Sequence, residues 1–425
     1  MMIGRVLRPR RLHQAWVMIG LCFFGLLAAQ GARLSFGAFV TPWQSTFGAS
    51  SGTITFVSFV SFAVYGLTQP LVGRLVGLHG VRKVFSGSVL LAGVGLVATA
   101  SARSTAHLLI AYGIVASLGF GGASGVAASV AVTEWFQTRR GLAFGVIEAG
   151  FGAGQLALAP AALLAIGAFG WRVPKVAMGI VLIVVVFPIL VVFLRSSPTE
   201  VGLRPFGANE PTDEEERHHP AEAPVRDRLI TSRAFWGLTA TFFVCGFTTT
   251  GMIDTHLIPF AHDHGFSMAA TGTAVGVLAA FNIAGTLASG PLADRWDNRR
   301  FLAALYGVRA LTLLVLLAAH RPTELLAFAM IFGIADFAVL APTQLLAARY
   351  FDGQSVGVVF GLLSLAHQLG SALGALVPGM LYDRTGGYEG VLAGAAVALT
   401  LGSVLSFALP DFSTPRRQLV PLVSA

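Results

Sequence analysis

Twelve long apolar runs, six on each side of a polar stretch, constrain what this chain can fold into more than any other feature. A helix needs about 20 mostly apolar residues to cross a bilayer core, and backbone groups cannot stay unpaired in lipid. We therefore expect transmembrane helices rather than a barrel, whose strands would alternate in polarity. The expected spans are residues 15–40, 53–78, 84–102, 107–133, 141–167, 173–194, 234–261, 270–293, 301–319, 323–348, 355–382 and 388–409.

Composition agrees with these spans. Hydrophobic residues make up 55% of the chain and charged residues 11%, against about 25% in a soluble domain. Cys22 and Cys245 both lie in apolar runs, which indicates neither a disulfide framework nor a metal site, and we expect no cofactor. The polar stretch divides the chain into an N-terminal bundle (1–195), a cytoplasmic linker (196–232) and a C-terminal bundle (233–425).

Positive charge is concentrated on one side of the predicted membrane. The net charge is +8, and most of the 28 Lys and Arg fall in the N-terminal segment, in the linker and in loops on the same side, such as 74–83 and 295–300. This bias places both termini and the linker in the cytoplasm, so we expect a bilayer partner and no nucleic acid. Lysine occurs only at Lys83 and, on the opposite side, Lys175. Such arginine-rich usage is typical of a GC-rich bacterial gene, hence of an inner membrane.

The two halves of the chain repeat. The same spacing separates Pro42 from Pro259, Gly73 from Gly290, and Arg82 from Arg299. Six-helix halves in parallel repeat are a known transporter architecture with its binding site between the halves near the bilayer midplane. The sequence thus predicts an all-α membrane protein of twelve transmembrane helices in two pseudo-symmetric six-helix bundles.

The loop after the eighth span carries a specific motif. Its sequence, Gly-Pro-Leu-Ala-Asp-Arg-Trp-Asp-Asn-Arg-Arg at residues 290–300, closely resembles the signature loop of the major facilitator superfamily. The resemblance implies the major facilitator fold and a cytoplasmic gating motif, an Asp–Arg cluster that latches the two bundles. Its members are Asp294, Arg295, Arg299 and Arg300. For the last two arginines, simple anchoring on the cytoplasmic side is an equally good interpretation.

Other segments are similar to monocarboxylate transporters and to oxalate/formate-type antiporters, namely residues 35–39, 135–150 and 382–388. In the oxalate/formate pattern, Asn282 matches a helix 8 asparagine, but Thr286 stands where that pattern has an arginine. Likewise His367 stands where it has a lysine. The resemblance therefore implies an organic anion with one charge, a monocarboxylate, rather than a dicarboxylate such as oxalate.

Ionisable residues inside a membrane span are costly, so each is a functional candidate. Those in this chain are Arg33, Glu148, Asp254, His256, Arg309, Asp336 and His367. We interpret Arg33 as an anion-binding residue, because a guanidinium grips a carboxylate in bidentate fashion; snorkelling to the outer interface is the alternative. His367, which adjoins Gln368, is a candidate for the same anion or for a hydrogen bond to a neighbouring helix.

Three residues are candidates for proton coupling. Asp254 and Glu148 are carboxylic acids in apolar runs, where the neutral form is favoured. His256 is two residues from Asp254, so the two side chains point about 200° apart on a regular helix and do not form one site. A structural hydrogen bond is the alternative role for each. Arg309 and Asp336 are expected to form a buried ion pair between antiparallel helices.

The sequence therefore predicts a secondary active transporter that rocks two halves about a central site, because no nucleotide-binding motif is present. The expected cargo is a small organic anion, a monocarboxylate such as lactate, moved with protons by a monomer. The substrate-binding candidates are Arg33, Tyr65, Gln155, Asn282, His367 and Gln368. The alternatives are an exporter of drugs or hydrophobic metabolites and, more remotely, an intramembrane enzyme or a non-transporting sensor. No nucleophile–base or metal constellation supports the enzyme.

Overall fold

The computed structural model describes residues 13–49, 51–208, 229, 231–351 and 356–410. Within these ranges, ten helical stretches are long and apolar enough to cross a membrane. One of them is two helices, because Gly80 (φ 80°, ψ 155°) interrupts the helical backbone. A further, more polar helix covers 233–263. The described residues therefore contain twelve membrane helices, which confirms the predicted fold class.

The helices follow the predicted spans closely. They are α1 (Gln14–Phe47), α2 (51–79), α3 (81–100), α4 (Thr105–Trp135), α5 (Arg140–Phe169), α6 (Arg172–Phe193), α7 (233–263), α8 (Met268–Arg295), α9 (Asn298–Leu317), α10 (Pro322–Tyr350), α11 (Val356–Thr385) and α12 (Glu389–Phe407). Helices α1–α6 pack as one bundle and α7–α12 as a second. Their outer surfaces expose large apolar side chains, such as Leu164 (78%) and Leu67 (64%), as a lipid-facing surface does.

The predicted linker, 196–232, is described only in part, since 209–228 and 230 lie outside the described residues. Its first residues lie against the end of α4. The Phe206 backbone N–H donates to Trp135 O (2.8 Å), and the Gln137 N–H donates to Phe206 O (3.0 Å). The exact limits of the two bundles, 1–195 and 233–425, remain a prediction.

Several helices depart from regular α geometry near the centre of the protein. Leu109–Ala116 in α4 and Phe247–Ile253 in α7 are π-helical, and Phe337–Val339 in α10 is a 3₁₀ turn. Helix α4 is also broken at Ala123 (φ −87°, ψ 54°). Such irregular turns free backbone groups and are frequent at functional sites.

The bundles meet tightly at one face, here called the linker face, which carries Arg140 and Arg295. A methyl group added at Gly290 of α8 would lie 2.6 Å from Gly141 O of α5, so glycine permits this backbone contact. The two helices stay together as far as Gly152 and Ile283. Beyond that point, residues of both helices face a shared cavity instead of each other. The space between the bundles is therefore closed at the linker face and opens towards the opposite face.

Candidate functional site

A cavity of about 420 Å³ lies between the two bundles. It is lined mainly by apolar side chains, and it gathers eight of the residues that the sequence singles out. These are Arg33, Tyr65, Glu148, Gln155, Asp254, Asn282, His367 and Gln368. The first four come from α1, α2 and α5, and the last four from α7, α8 and α11. The site is therefore shared between the bundles, and rocking one against the other would change its exposure.

Arg33 is held in the cavity wall by aromatic rings. Its guanidinium carbon lies 3.9 Å from the centroid of the Tyr65 ring and 4.9 Å from that of Phe62. The residue is only 7% exposed, and among the described residues it forms no ion pair. A cation stacked on rings keeps its outer N–H groups free for a ligand. Within the part of the chain that the structure describes, the cavity thus presents a guanidinium without a carboxylate partner.

Glu148 of α5 links the two bundles across the cavity. Its Oε1 accepts a hydrogen bond of 2.6 Å from Gln344 Nε2 of α10. Glu148 is 8% exposed, and Gly125 at the break in α4 lies close enough that an added methyl group would be 2.9 Å from Oε1. The acid therefore lies in the cavity wall and is bonded to a residue of the other bundle.

The break in α4 is stabilised by two buried glutamines. Gln30 Nε2 of α1 donates to Phe120 O (3.0 Å) and Ala123 O (2.7 Å), carbonyls near the break. Ser124 Oγ donates to Gln69 Oε1 of α2 (3.0 Å). These bonds satisfy buried polar groups that would otherwise be costly in lipid. They fix the turn that brings Gly125 to the cavity wall.

Asp254 and His256 have separate environments. Asp254 lines the cavity and is exposed to it. His256 turns away: its Nε2 donates to Ala375 O of α11 (2.9 Å), and its Nδ1 accepts from the Tyr388 hydroxyl (3.4 Å). The structure therefore brings only the acid of this pair to the cavity.

Arg309 and Asp336 lie together behind the cavity wall. Arg309 Nη2 of α9 is 3.6 Å from Asp336 Oδ1 of α10, and their side chains are 0% and 1% exposed. Thr249 Oγ1 of α7 donates to Asp336 Oδ1 (2.6 Å) and also contacts Arg309 Nη2. Asn282 Nδ2 of α8 donates to Asp336 Oδ2 (3.0 Å). Four helices of the second bundle thus converge on one carboxylate.

At the linker face, Asp294 is the residue of the signature loop that reaches the other bundle. Its carboxylate accepts hydrogen bonds from the backbone N–H groups of Gly141 (2.6 Å) and Leu142 (2.9 Å). These are first-turn donors of α5, which have no partner inside their own helix, and a negative charge there is favoured by the helix dipole. The acid of one bundle therefore caps a helix of the other.

The arginines of the loop stay within their own bundle. Arg299 Nη2 lies 3.0 Å from Asp297 Oδ2, and Arg300 Nε lies 3.5 Å from the same oxygen. Partial burial acts to raise the pKa of Asp297, but the hydrogen bonds and charge of Arg299 outweigh it and hold the pKa below its usual value. Arg295 is exposed. Among the described residues, the contact between the bundles thus uses Asp294 and backbone donors, and the carboxylate that Arg299 and Arg300 contact lies in their own bundle.

By its position in the sequence Lys175 belongs with the charges of the outer face, yet it is fully buried. Its Nζ lies 3.7 Å from the centroid of the Phe39 ring, 4.9 Å from that of Tyr112 and 5.5 Å from that of Trp43. Among the described residues no hydrogen-bond acceptor reaches it. Its sequence position, next to Trp171 and Arg172 at a helix start, gives no sign of this aromatic enclosure.

In the part of the chain that the structure describes, no group of three or more His, Cys, Asp or Glu side chains is placed to hold a metal ion.

Aromatic rings form much of the cavity wall. They belong to Phe62, Tyr65, Phe151, Phe242, Phe337 and Phe360.

Comparison with known proteins places this architecture in a family. The profile described as Major Facilitator Superfamily matches residues 21–316 and 257–422. The MFS-type transporter YcxA of Bacillus subtilis is 27% identical over 413 residues, which cover 92% of this chain and 94% of that protein. Monocarboxylate transporter 11 of Mus musculus is 28% identical over 418 residues, covering 93% and 87%.

Solved structures share the fold. The E. coli fucose:proton symporter FucP superposes with a TM-score of 0.73 at 13% identity, covering 94% of this chain and 100% of that one. The human organic anion transporter MFSD10 gives a TM-score of 0.73 at 15% identity, covering 93% and 100%. At such identities the likeness concerns the fold alone.

Proposed function

Because the chain belongs to the major facilitator superfamily, and is therefore a membrane transporter and not an enzyme, we propose that it carries a small organic anion by secondary active transport. The proposed cargo is a monocarboxylate such as lactate, moved with a proton as the two bundles rock about the central cavity. The observation that carries this proposal is Arg33, a buried guanidinium in the cavity wall without an acidic partner among the described residues.

Burial makes Arg33 a strong anion site. A guanidinium stays charged in almost any protein environment, and its charge is stabilised poorly by apolar walls. The ring faces of Tyr65 and Phe62 stabilise it partly, and a carboxylate with two oxygens would complete its hydrogen bonding. Since Thr286 and His367 occupy the positions of two further expected cations, one negative charge on the cargo fits better than two.

Two acids in the same cavity support proton coupling. Glu148 and Asp254 both line it, so an incoming anion would meet like charges unless one acid binds a proton. Binding of the anion at Arg33 and of a proton at an acid would therefore favour each other. That mutual dependence is what symport requires.

Relatives agree with this cargo class. Two mammalian relatives bear the names monocarboxylate transporter 11 and 13, and a structural neighbour is titled an organic anion transporter. We further propose that the linker face is cytoplasmic in a bacterial inner membrane, with both termini there and the protein acting as a monomer. The cavity then opens to the outside. Activity of reporter enzymes fused to the C-terminus tests this orientation.

The direct test is uptake of radiolabelled lactate into proteoliposomes with and without an inward proton gradient. We expect gradient-stimulated uptake, and competition by singly charged acids such as acetate but not by oxalate. Arg33→Ala should raise the KM at least about tenfold, the loss expected for a charged bidentate contact. Arg103→Ala, which removes an exposed loop arginine, is the matched control.

Two outcomes would count against the proposal. If folded, inserted protein takes up no carboxylate, the organic-anion cargo is wrong. If uptake proceeds normally in Arg33→Ala, the arginine is not part of the site and the cargo argument loses its basis.

One observation favours a second candidate function, export of drugs or hydrophobic metabolites. Six aromatic residues line the cavity, and aromatic walls suit apolar cargo. Cells that express the protein would then tolerate toxic hydrophobic compounds better than cells with an empty vector. The same comparison with Arg33→Ala separates the two functions, because export of neutral compounds does not need the guanidinium.

A further inference from the structure

The buried pair of Arg309 and Asp336 is part of a larger hydrogen-bonded cluster. Asp336 accepts from Thr249 at one oxygen and from Asn282 at the other, while Arg309 Nη2 donates to Thr248 Oγ1 (2.8 Å). Each further hydrogen bond to a buried charge pair offsets part of the cost of removing its groups from water. Each donor around Asp336 therefore contributes to keeping the pair closed.

The cluster lies where two helices lose their regular geometry. Thr249 lies in the π-helical segment Phe247–Ile253 of α7. Asp336 is the last α-helical residue before the 3₁₀ turn Phe337–Val339 of α10, and its ψ of −79° departs from helical values. Changes of helix type are sites where a helix can bend. The carboxylate of Asp336 thus ties the irregular turns of α7 and α10 to each other.

Asn282 connects this cluster to the central cavity. Of the described residues that bond directly to Arg309 or Asp336, it alone lines the cavity, whereas Arg309 and Asp336 themselves are shielded from it. Its amide group donates to Asp336, and Thr286 Oγ1 lies 3.4 Å from its Oδ1. A ligand that hydrogen-bonds the Asn282 side chain from the cavity would compete with Asp336 for it.

We propose that Asn282 is a positioning residue whose hydrogen bond to Asp336 holds the bends of α7 and α10 in the arrangement that opens the cavity away from the linker face. Breaking that bond weakens the cluster and shifts the protein towards the opposite arrangement. This inference concerns the conformational step and does not depend on which cargo the protein carries. In this proposal the cluster has two arrangements, and a ligand in the cavity that bonds to Asn282 shifts the equilibrium between them.

Cysteine labelling in detergent tests the proposal without any cargo. One reporter is Leu156→Cys, at an exposed position of the cavity wall; the other is Leu142→Cys, in the contact between α5 and α8 at the linker face. Both native cysteines are buried and give little background. The ratio of the two maleimide labelling rates, measured in separate proteins, follows the equilibrium between the two arrangements.

Asn282→Leu should lower the ratio of the labelling rate at position 156 to that at position 142 roughly tenfold. This is the size expected for one lost hydrogen bond to a charged group. Asn282→Ser, which removes the amide without adding volume, carries the same expectation if the leucine variant does not fold. Asn282→Gln keeps an amide donor and should return the ratio to within about threefold of the parent.

Ser364→Ala is the matched control, because it removes a polar group of the same cavity that does not contact Asp336. We expect it to leave the labelling ratio unchanged. An unchanged ratio in both Asn282→Leu and Asn282→Ser would overturn the proposal. An equal fall in Ser364→Ala would overturn it as well, since the effect would then be a general loss of cavity polarity.

Discussion

The guanidinium carbon of Arg33 lies 3.9 Å from the centroid of the Tyr65 ring, so an aromatic face rather than an acid supports the cavity's arginine. An acid in that position would neutralise the charge and compete with an anionic ligand. A ring stabilises the cation and leaves its hydrogen-bond donors free. The relationship gives a first prediction about how the site binds.

Replacing the ring should weaken binding without removing the charge. Tyr65→Leu is expected to raise the KM for lactate uptake roughly fivefold, because one cation–π contact is lost. Tyr65→Phe keeps the ring and should stay close to the parent value. A normal KM in Tyr65→Leu would mean that Phe62 alone orients the arginine.

Glu148 is expected to couple transport to protons. In Glu148→Gln, uptake driven by a proton gradient should be lost, whereas exchange of internal for external lactate should continue, because exchange needs no net proton movement. The measurement compares both modes in the same vesicles. Asp254→Asn, the other acid of the cavity wall, serves as the comparison. Loss of both modes in Glu148→Gln would show a binding role instead.

The close approach of the two bundles at the linker face should depend on the absence of a side chain at Gly290. In Gly290→Ala the new methyl group would lie 2.6 Å from Gly141 O, so the bundles cannot approach fully. We expect turnover at saturating lactate to fall at least about tenfold, in line with the cost of overpacking. Gly272→Ala on the same helix is the control, since nothing lies within 4 Å of its added carbon. Equal turnover in the two variants would contradict the tight contact.

Lys175 offers a stability prediction. Lys175→Met keeps the length of the side chain and removes a buried charge, so the melting temperature should stay the same or rise. Lys175→Ala leaves a cavity among the rings and should cost about 2–4 kcal/mol. Thermal unfolding in detergent, followed by tryptophan fluorescence, measures both. A marked drop in Lys175→Met would reveal a favourable role for the ammonium charge.

The apolar runs were sufficient to predict the helices, because in lipid each run must satisfy its own backbone hydrogen bonds. The clearest difference is α1, expected to end near residue 40 but continuing to Phe47 through Pro42. Phe39 and Trp43 explain it: both are fully buried, and this packing holds the helix beyond the proline. Rings that pack on Trp43, those of Tyr112 and Trp171, come from elsewhere in the chain, so the apolar run alone does not locate the end of α1.

The types of residue in the cavity could be predicted from the sequence, but the hydrogen bonds that they make could not. Ionisable residues within spans identified Arg33 and Glu148, because charge in lipid demands a function or a partner. The partner of Glu148, Gln344, lies 196 residues away and is one of many neutral polar residues. For Lys175, the surrounding rings come from different helices, so its burial follows from the assembled bundle and not from its neighbours in sequence.

The contact of Asp294 with Gly141 and Leu142 has a consequence for how such a protein can diverge. Its donors are main-chain N–H groups, which every residue except proline supplies. Position 142 is therefore free to change side chain while the bond persists, whereas position 294 is not free to lose its acid. Because one side of this contact accepts any side chain except that of proline, substitutions at positions 142 and 294 need not be correlated. Methods that infer contacts from paired substitutions would therefore overlook this contact between the bundles.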